Sequence, residues 1–416
     1  MLRATRPDEA ELDCPSSIAE PLEVVARSGG SKAVRVAVIH SSAADRNRGK
    51  SSNRDVRIDT LRGLFLVLMM VDHLPGHPLL RFTQQSVGFV SAAEGFVFVS
   101  GLVSGVVYGR ILEKQGKAAL RRHAWHRARH IYLTHLSLYT LALLGGVFGL
   151  RQIANQFPNF WEGWWHGAAL IYQPQLFGIL PMYAVFLFLT PWLLQAMAKG
   201  RSRLVWGASI ALWMAAQWGF GGRSHNPPWL ELGSFNILAW QLLFVAGTYF
   251  GYRKFEGRRS IILRSRALFI LSVFLVTVLF LVRHQNVFFR NLPLLNMEVA
   301  LGPWRAINHP LRLVNFTALA YIFWYFPRWL DEKVRGLMAF RLLRYLGGHS
   351  LQVFGWSIFV SYIALSFRDS WVTLPPVWRA LLAVTAALSL VIPAWAHERW
   401  KLLAVPKGER LVVDPV

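Results

Sequence analysis

The chain has 416 residues, of which 54% are hydrophobic and only 16% are charged, and its formal net charge is +23. Soluble domains carry about 25% charged residues, so this composition indicates a membrane protein. The basic residues lie in short segments between apolar runs, which is typical of membrane topology and argues against nucleic-acid binding. The single cysteine, Cys14, excludes an intramolecular disulfide, and we expect no metal site.

The chain begins with a polar stretch, residues 1–56, that is rich in Ser, Ala and Arg and shows no sustained helical period. Because this stretch contains no apolar segment of the kind found in signal peptides, we predict a disordered cytoplasmic tail. We assign residues 57–400 to a transmembrane domain and residues 401–416 to a short cytoplasmic C-terminal tail.

Ten apolar runs follow, each close to the roughly 20 residues that cross a bilayer as a helix. They cover residues 61–79, 88–111, 131–150, 174–197, 204–220, 235–252, 266–283, 310–330, 349–367 and 379–397. If the N-terminus is cytoplasmic, the inner connecting segments hold 19 Lys and Arg and the outer ones hold 8. The positive-inside rule therefore predicts an all-α polytopic membrane protein, a bundle of about ten transmembrane helices with both termini cytoplasmic.

The first two apolar runs contain four ionisable residues, Arg62, Asp72, His73 and Glu94. A charge in hydrocarbon costs roughly 2.5–3.5 kcal/mol on insertion scales, so such groups usually face a protein interior or a water-filled cavity. Eleven residues at about 100° each place His73 within about 20° of Arg62 and roughly 16 Å along the helix. Arg62 is interpreted either as a ligand for a phosphate group or as the partner of a carboxylate such as Asp59.

His73 is the first candidate for catalysis. A neutral imidazole can take the proton of an attacking group and return it to a leaving group, or it can act as a nucleophile itself. We expect Glu94, deep in the second helix, to approach across the helix interface and fix the imidazole tautomer. Asp72 is the weaker partner, because adjacent residues of a helix point about 100° apart. Structural hydrogen bonding is the alternative role for His73 and Glu94.

Residues 113–130, EKQGKAALRRHAWHRARH, are predicted to form a cytoplasmic loop. Its residues Arg121, Arg122 and Arg127 can bind the phosphates of a substrate bidentately, or they can bind anionic lipid headgroups. His135, one turn into the predicted third helix, is a secondary candidate for substrate binding.

Two further groups of residues concern helix packing. Asn236, Trp240 and Gln241 begin the predicted sixth helix on the outer side and either line the route of an acceptor substrate or bond between helices. Gly101 and Gly105 in the second run have a spacing that lets helices approach closely, which favours packing over ligand binding.

Several stretches of the sequence resemble one membrane enzyme family. The pattern R-x-D-x-L-R-G of residues 57–63, followed by a histidine, resembles the first helix of the acyltransferase-3 family, whose arginine and histidine are spaced as Arg62 and His73 are. The blocks DHLPGHPL (72–79), SAAEGFVFVSG (91–101), FNILAWQLLF (235–244) and LGGHSLQVF (346–354) resemble its OpgC branch, which succinylates osmoregulated periplasmic glucans. The chain departs from the family pattern at Asn315, where a histidine is expected.

This resemblance implies an acyltransferase of the bacterial inner membrane with a bundle of about ten helices. The acyl group, typically succinyl, would come from a cytoplasmic acyl-CoA co-substrate and pass to glucan hydroxyls in the periplasm, without a tightly bound cofactor. Membrane lipids, the glucan and the donor are the expected partners; a homo-oligomer or an association with glucan-synthesis proteins stays open. The alternatives are a secondary transporter with Arg62, Asp72 and Glu94 as a relay, and a non-catalytic scaffold.

Overall fold

A computed structural model describes residues 56–85, 87–148, 150, 157–172, 174, 176–220, 235–257, 263–285, 303–325 and 337–404. Except for Val56, the predicted N-terminal tail lies outside the described residues, as do residues 405–416 of the predicted C-terminal tail. Every regular element in the described ranges is a helix, which confirms the predicted all-helical class.

The α-helices are α1 (Val56–Asp72), α2 (Leu80–Thr83), α3 (Ala92–Leu144), α4 (Phe160–Ala168), α5 (Ile179–Ala198), α6 (Ser202–Gln217), α7 (Ile237–Phe255), α8 (Arg266–Arg283), α9 (Pro303–Ala306), α10 (Pro310–Tyr325), α11 (Met338–Gly348), α12 (Ser350–Ser366), α13 (Arg368–Thr373), α14 (Pro376–Ser389) and α15 (Val391–Ala404). A 3-10 helix, Gly145–Phe148, follows α3. Each of the ten apolar runs overlaps helical residues. Within the described ranges, four helical stretches are long and apolar enough to cross a membrane: Ala92–Leu144, Ile179–Ala198, Arg266–Arg283 and Pro376–Lys401.

Helix α3 is a hairpin of two helical arms. Its backbone leaves helical geometry at Gly116, where φ is 81° and ψ is −177°. Phe96 on the first arm stacks on Phe354 of α12 with ring centroids 5.7 Å apart, and Leu138 on the second arm contacts the neighbouring Gly355. A straight helix would separate these two residues of α3 by roughly 60 Å, so the chain must reverse between them.

This hairpin corrects two predictions. The stretch 113–130 is helical on both sides of Gly116, so the prediction of a loop there was wrong. The second arm begins directly after Gly116, and His135 therefore lies about five turns into a helix rather than one. The glycine accounts for the reversal because a positive φ at this point costs a residue without a Cβ very little.

Close packing between α3 and α7 depends on small residues, as the sequence predicted. A Cβ atom at Gly101 or Gly105 would overlap the backbone of α7, and one at Gly247 or Gly251 would overlap the backbone of α3. The two helices therefore touch backbone to backbone. The contacts advance together along both helices, from Gly101 at Phe244 to Gly105 at Thr248, so the first arm of α3 and α7 run parallel. Small residues on both sides allow this approach inside a membrane protein.

Helix α1 ends at Asp72, seven residues before the end of the predicted first apolar run. Pro75 disfavours helical geometry at the residue before it, and Gly76 follows with a φ of 57°. The amide of His73 donates to the Met70 carbonyl at 3.3 Å in the closing turn. His73 is thus the first residue beyond α1, at the end opposite to Val56.

Candidate active site

A cavity of about 290 Å³ lies at the C-terminal end of α1. Its polar and charged lining residues are Asp72, His73, Gln84, Gln85, Ser91, Arg305 and Arg368. A second cavity of about 20 Å³ continues toward α12 and shares His73, Ile179, Phe235 and Arg305 with the first. His73 and Arg305 therefore stand where the two cavities meet.

The imidazole of His73 is fixed by the backbone of its own helix. Its Nδ1 lies 2.5 Å from the carbonyl oxygen of Met69. Because a carbonyl can only accept a hydrogen bond, Nδ1 carries the proton, and in the neutral ring Nε2 holds the free lone pair. No described residue bonds to Nε2, and His73 lines both cavities. The ring is thereby oriented to accept a proton from a molecule in the cavity.

Asp72 belongs to the same cavity wall but is not the hydrogen-bond partner of His73. Its carboxylate is close enough to the Thr83 hydroxyl and to Arg305 for favourable electrostatic interactions. The oxygen Oδ1 is buried and has no hydrogen-bond partner among the described residues. Asp72 is thus an incompletely satisfied carboxylate beside the cavity.

Glu94 lies in the first turn of α3, so the prediction that it sits deep in a helix was wrong. Its Oε2 accepts hydrogen bonds from the amide and the hydroxyl of Ser91, at 2.9 and 2.5 Å, which forms a capping box. Its Oε1 accepts from Nε of Arg312 at 2.9 Å and also contacts Nη2 of the same guanidinium. The Met69 carbonyl, and not Glu94, fixes the tautomer of His73.

The Glu94–Arg312 ion pair is fully buried and is the centre of a network that shapes the cavity wall. Arg312 donates from Nη1 to the side-chain oxygen of Gln85 at 3.4 Å. The side-chain oxygen of Asn315 accepts from the amide of Phe89 at 2.7 Å. Asn315, the residue that departs from the family pattern, therefore holds the segment between two lining residues, Gln85 and Ser91.

Arg305, on the short helix α9, is a cavity residue that the sequence analysis missed. Its guanidinium carbon lies 5.4 Å from the centre of the Phe235 ring. Within the described part of the chain, no residue accepts a hydrogen bond from this guanidinium. Burial lowers the pKa of Arg305 and the Glu94 carboxylate raises it, but an arginine stays protonated at neutral pH. The cavity therefore contains a fixed positive charge.

The sequence contained a signal for both Arg305 and Arg312. The predicted outer segment 283–312 contains four of the eight Lys and Arg assigned to the outer side, against the positive-inside pattern. Two of the four, Arg305 and Arg312, serve the cavity and its wall. Basic residues that depart from the predicted positive-inside pattern are thus found at the cavity and its wall.

The predicted donor-side residues do not meet His73. Arg62 lies on α1 and donates from Nη2 to the Ser350 hydroxyl at 2.5 Å, at the start of α12. Arg121 and Arg122 are exposed on the second arm of α3, and Arg127 is half-buried there. None of these arginines lines either cavity.

His135 is buried and packs between aromatic rings, with centroids 6.0 Å from Tyr139 and 6.2 Å from Phe177. It lines neither cavity. This secondary candidate for substrate binding therefore lies in the apolar core between helices.

The three residues at the start of α7 make bonds between elements. Asn236 accepts from the amide of Leu238 at 2.9 Å as the helix cap, and its Nδ2 donates to the Phe220 carbonyl at 2.7 Å. Gln241 donates to the Ser209 carbonyl at 2.8 Å. The indole of Trp240 donates to the carbonyls of Arg305 and Ala306, at 3.2 and 3.0 Å. Trp240 thus supports the backbone that carries Arg305, without lining the cavity itself.

The apolar helices and the cavity with its oriented histidine define a multi-pass membrane protein with a site suited to acid–base chemistry. A family model described as OpgC protein matches residues 54–402, so the chain belongs to the OpgC family. Membership in this family indicates a glucan-modifying role of the acyltransferase type. Searches of curated proteins and of solved structures return no significant match.

Proposed function

We propose that the protein is a membrane O-acyltransferase that moves a succinyl group from a cytoplasmic acyl-CoA onto hydroxyls of periplasmic glucans. In this proposal ten helices cross the bacterial inner membrane and both termini are cytoplasmic. The C-terminal end of α1, with His73 and the larger cavity, then faces the periplasm. Arg62 lies nearer the cytoplasmic end of the same helix.

The observation that carries the proposal is the fixed tautomer of His73 at the junction of the two cavities. In the proposed step, a glucan hydroxyl oxygen attacks the thioester carbonyl carbon while Nε2 accepts the hydroxyl proton. The new C–O bond forms, the C–S bond breaks, and the imidazolium returns the proton to the leaving thiolate. A histidine that first accepts the acyl group gives the same products in two transfers.

On the donor side, the arginines of the α3 hairpin supply the positive charge that a coenzyme A phosphate requires. Arg121 and Arg122 are exposed and Arg127 is half-buried, so their guanidinium groups are available for bidentate bonding. The same arginines can also bind anionic lipid headgroups, and in this proposal they serve both the lipid and the donor.

The proposal is tested by replacing His73 with alanine and measuring the succinyl content of periplasmic glucans by mass spectrometry. We expect succinyl transfer to fall by about 100- to 10,000-fold, because the general base is lost. Protein levels in the membrane must match those of the unmutated chain.

His166→Ala is the matched control for this experiment. His166 makes the same type of bond, from Nδ1 to the Glu162 carbonyl four residues earlier at 2.7 Å, but it lines neither cavity. We expect normal succinylation in this variant. Unchanged succinyl content in the His73→Ala variant would refute the proposed mechanism.

A further inference from the structure

We propose that Arg305 recognises a free carboxylate on the acyl group that is transferred, and so selects dicarboxylic over neutral acyl groups. This inference rests on the proposed function, because it assigns a specificity-determining residue to the same site. It concerns the cavity-facing guanidinium that the acid–base chemistry of His73 does not use.

The first argument is the charge of the cavity. Its charged lining residues, within the described ranges, are Arg305, Arg368 and Asp72, so the lining is positive overall when His73 is neutral. A neutral sugar hydroxyl does not require a positive cavity. A carboxylate does, because moving it out of water is costly unless it is paired with a cation.

The second argument is the way Arg305 is held. The Trp240 indole fixes its backbone through the carbonyls of Arg305 and Ala306, and the Phe235 ring supports its guanidinium. The guanidinium is thus positioned without a hydrogen-bond acceptor among the described residues. A planar guanidinium with free N–H groups matches the two oxygens of a carboxylate.

The third argument is the location of Arg305 relative to the reacting group. Arg305 and His73 line both cavities, so an acyl group whose carbonyl is at His73 has Arg305 within the same space. A short diacid monoester can place its carbonyl carbon near one residue and its free carboxylate near the other. A neutral acyl group of the same length offers the Arg305 N–H groups no hydrogen-bond acceptor.

A competing role for Arg305 is stabilisation of the oxyanion that forms on the reacting carbonyl. That role concerns a group common to all acyl donors, so its loss slows transfer of every acyl group equally. Carboxylate recognition slows only the transfer of groups that carry a carboxylate. The two roles are separated by the acyl preference of a variant.

The experiment compares the full-length protein with Arg305→Met and Arg305→Lys in membrane vesicles with a glucan acceptor. The donors are succinyl-CoA and butyryl-CoA, which have acyl chains of equal length and differ in a terminal carboxylate or methyl group. For Arg305→Met we expect kcat/KM with succinyl-CoA to fall about 10- to 100-fold, as for a lost hydrogen bond to a charged group. The rate with butyryl-CoA should stay unchanged. Arg305→Lys should keep part of the succinyl preference, because it retains the charge but not the bidentate geometry.

Arg264→Met is the matched control, because Arg264 stacks on the Tyr325 ring at 5.2 Å and lines neither cavity. It should keep both rates. An equal loss with both donors in Arg305→Met, or an unchanged succinyl preference, would overturn the inference while leaving the proposed function intact. Failure of the unmutated protein to acylate glucan with either donor would instead overturn the proposed function.

Discussion

Two charged regions lie side by side in this protein and differ in how completely their polar groups are satisfied. In the Glu94–Arg312 pair, both carboxylate oxygens accept hydrogen bonds and both side chains are fully buried. In the adjacent cavity, Oδ1 of Asp72 is buried without a partner, and no described residue bonds to Nε2 of His73 or accepts from the Arg305 guanidinium. A satisfied buried charge pair holds a structure together, whereas unsatisfied groups beside a cavity are available to a substrate.

The largest expected effect of this difference is on stability. Replacing Glu94 with alanine leaves the Arg312 guanidinium buried without its carboxylate, and we expect a loss of about 3–5 kcal/mol in the free energy of unfolding. Unfolding in detergent, followed by circular dichroism with increasing denaturant, measures this loss. The midpoint temperature of thermal unfolding should also fall.

Glu94→Gln provides a milder comparison, because its amide oxygen can still accept from Ser91 or from Arg312, although the variant loses the charge and one of the two acceptor oxygens. We expect its loss to be smaller than that of the alanine variant. A Glu94→Ala protein as stable as the unmutated one, but without acyl transfer, would contradict the structural role and favour a catalytic one.

A smaller effect is expected at Asn315, which bonds to the segment between Gln85 and Ser91. Its side-chain oxygen is the acceptor for the buried amide of Phe89, so Asn315→Ala leaves that N–H unpaired. The loss should be about 1–3 kcal/mol in the free energy of unfolding, measured as above. Val314→Ala changes an exposed neighbour and should cost less. Equal stability of the two variants would show that the Phe89 amide does not depend on Asn315.

The parts of this architecture that depend on local sequence could be predicted. The apolar runs predicted the helices, and Gly101 and Gly105 predicted a close contact between helices, because hydropathy and residue size act over one or two turns. The spacing of Arg62 and His73 singled out the histidine at the end of α1. The position of the chain reversal at Gly116 could not be predicted, because charged residues continue in helical conformation on both sides of it.

The parts that depend on distant residues could not be predicted. Glu94 pairs with Arg312, which is 218 residues away in the sequence, so a single sequence gives no spacing that relates them. Without that information, the sequence predicts the nearer His73 as the partner of Glu94. The tautomer of His73 depends on a backbone carbonyl, a group that every residue possesses and that no motif reveals.

The smallest expected effect concerns Asp72, and it tests the difference between the two regions most directly. Asp72→Asn keeps the shape of the side chain and removes a negative charge from a carboxylate whose Oδ1 is buried without a partner. The variant loses a favourable interaction with Arg305 but also avoids the cost of keeping a charge out of water, and these contributions oppose each other. We therefore expect the free energy of unfolding to change by about 1 kcal/mol or less, in the same denaturant experiment as for Glu94. A loss as large as that of Glu94→Ala would mean that Asp72 is a satisfied structural charge, and the cavity would then not differ from the ion pair in the way proposed. A small change beside a large loss at Glu94 would show that two carboxylates near one cavity have different roles because only one of them has all its hydrogen bonds.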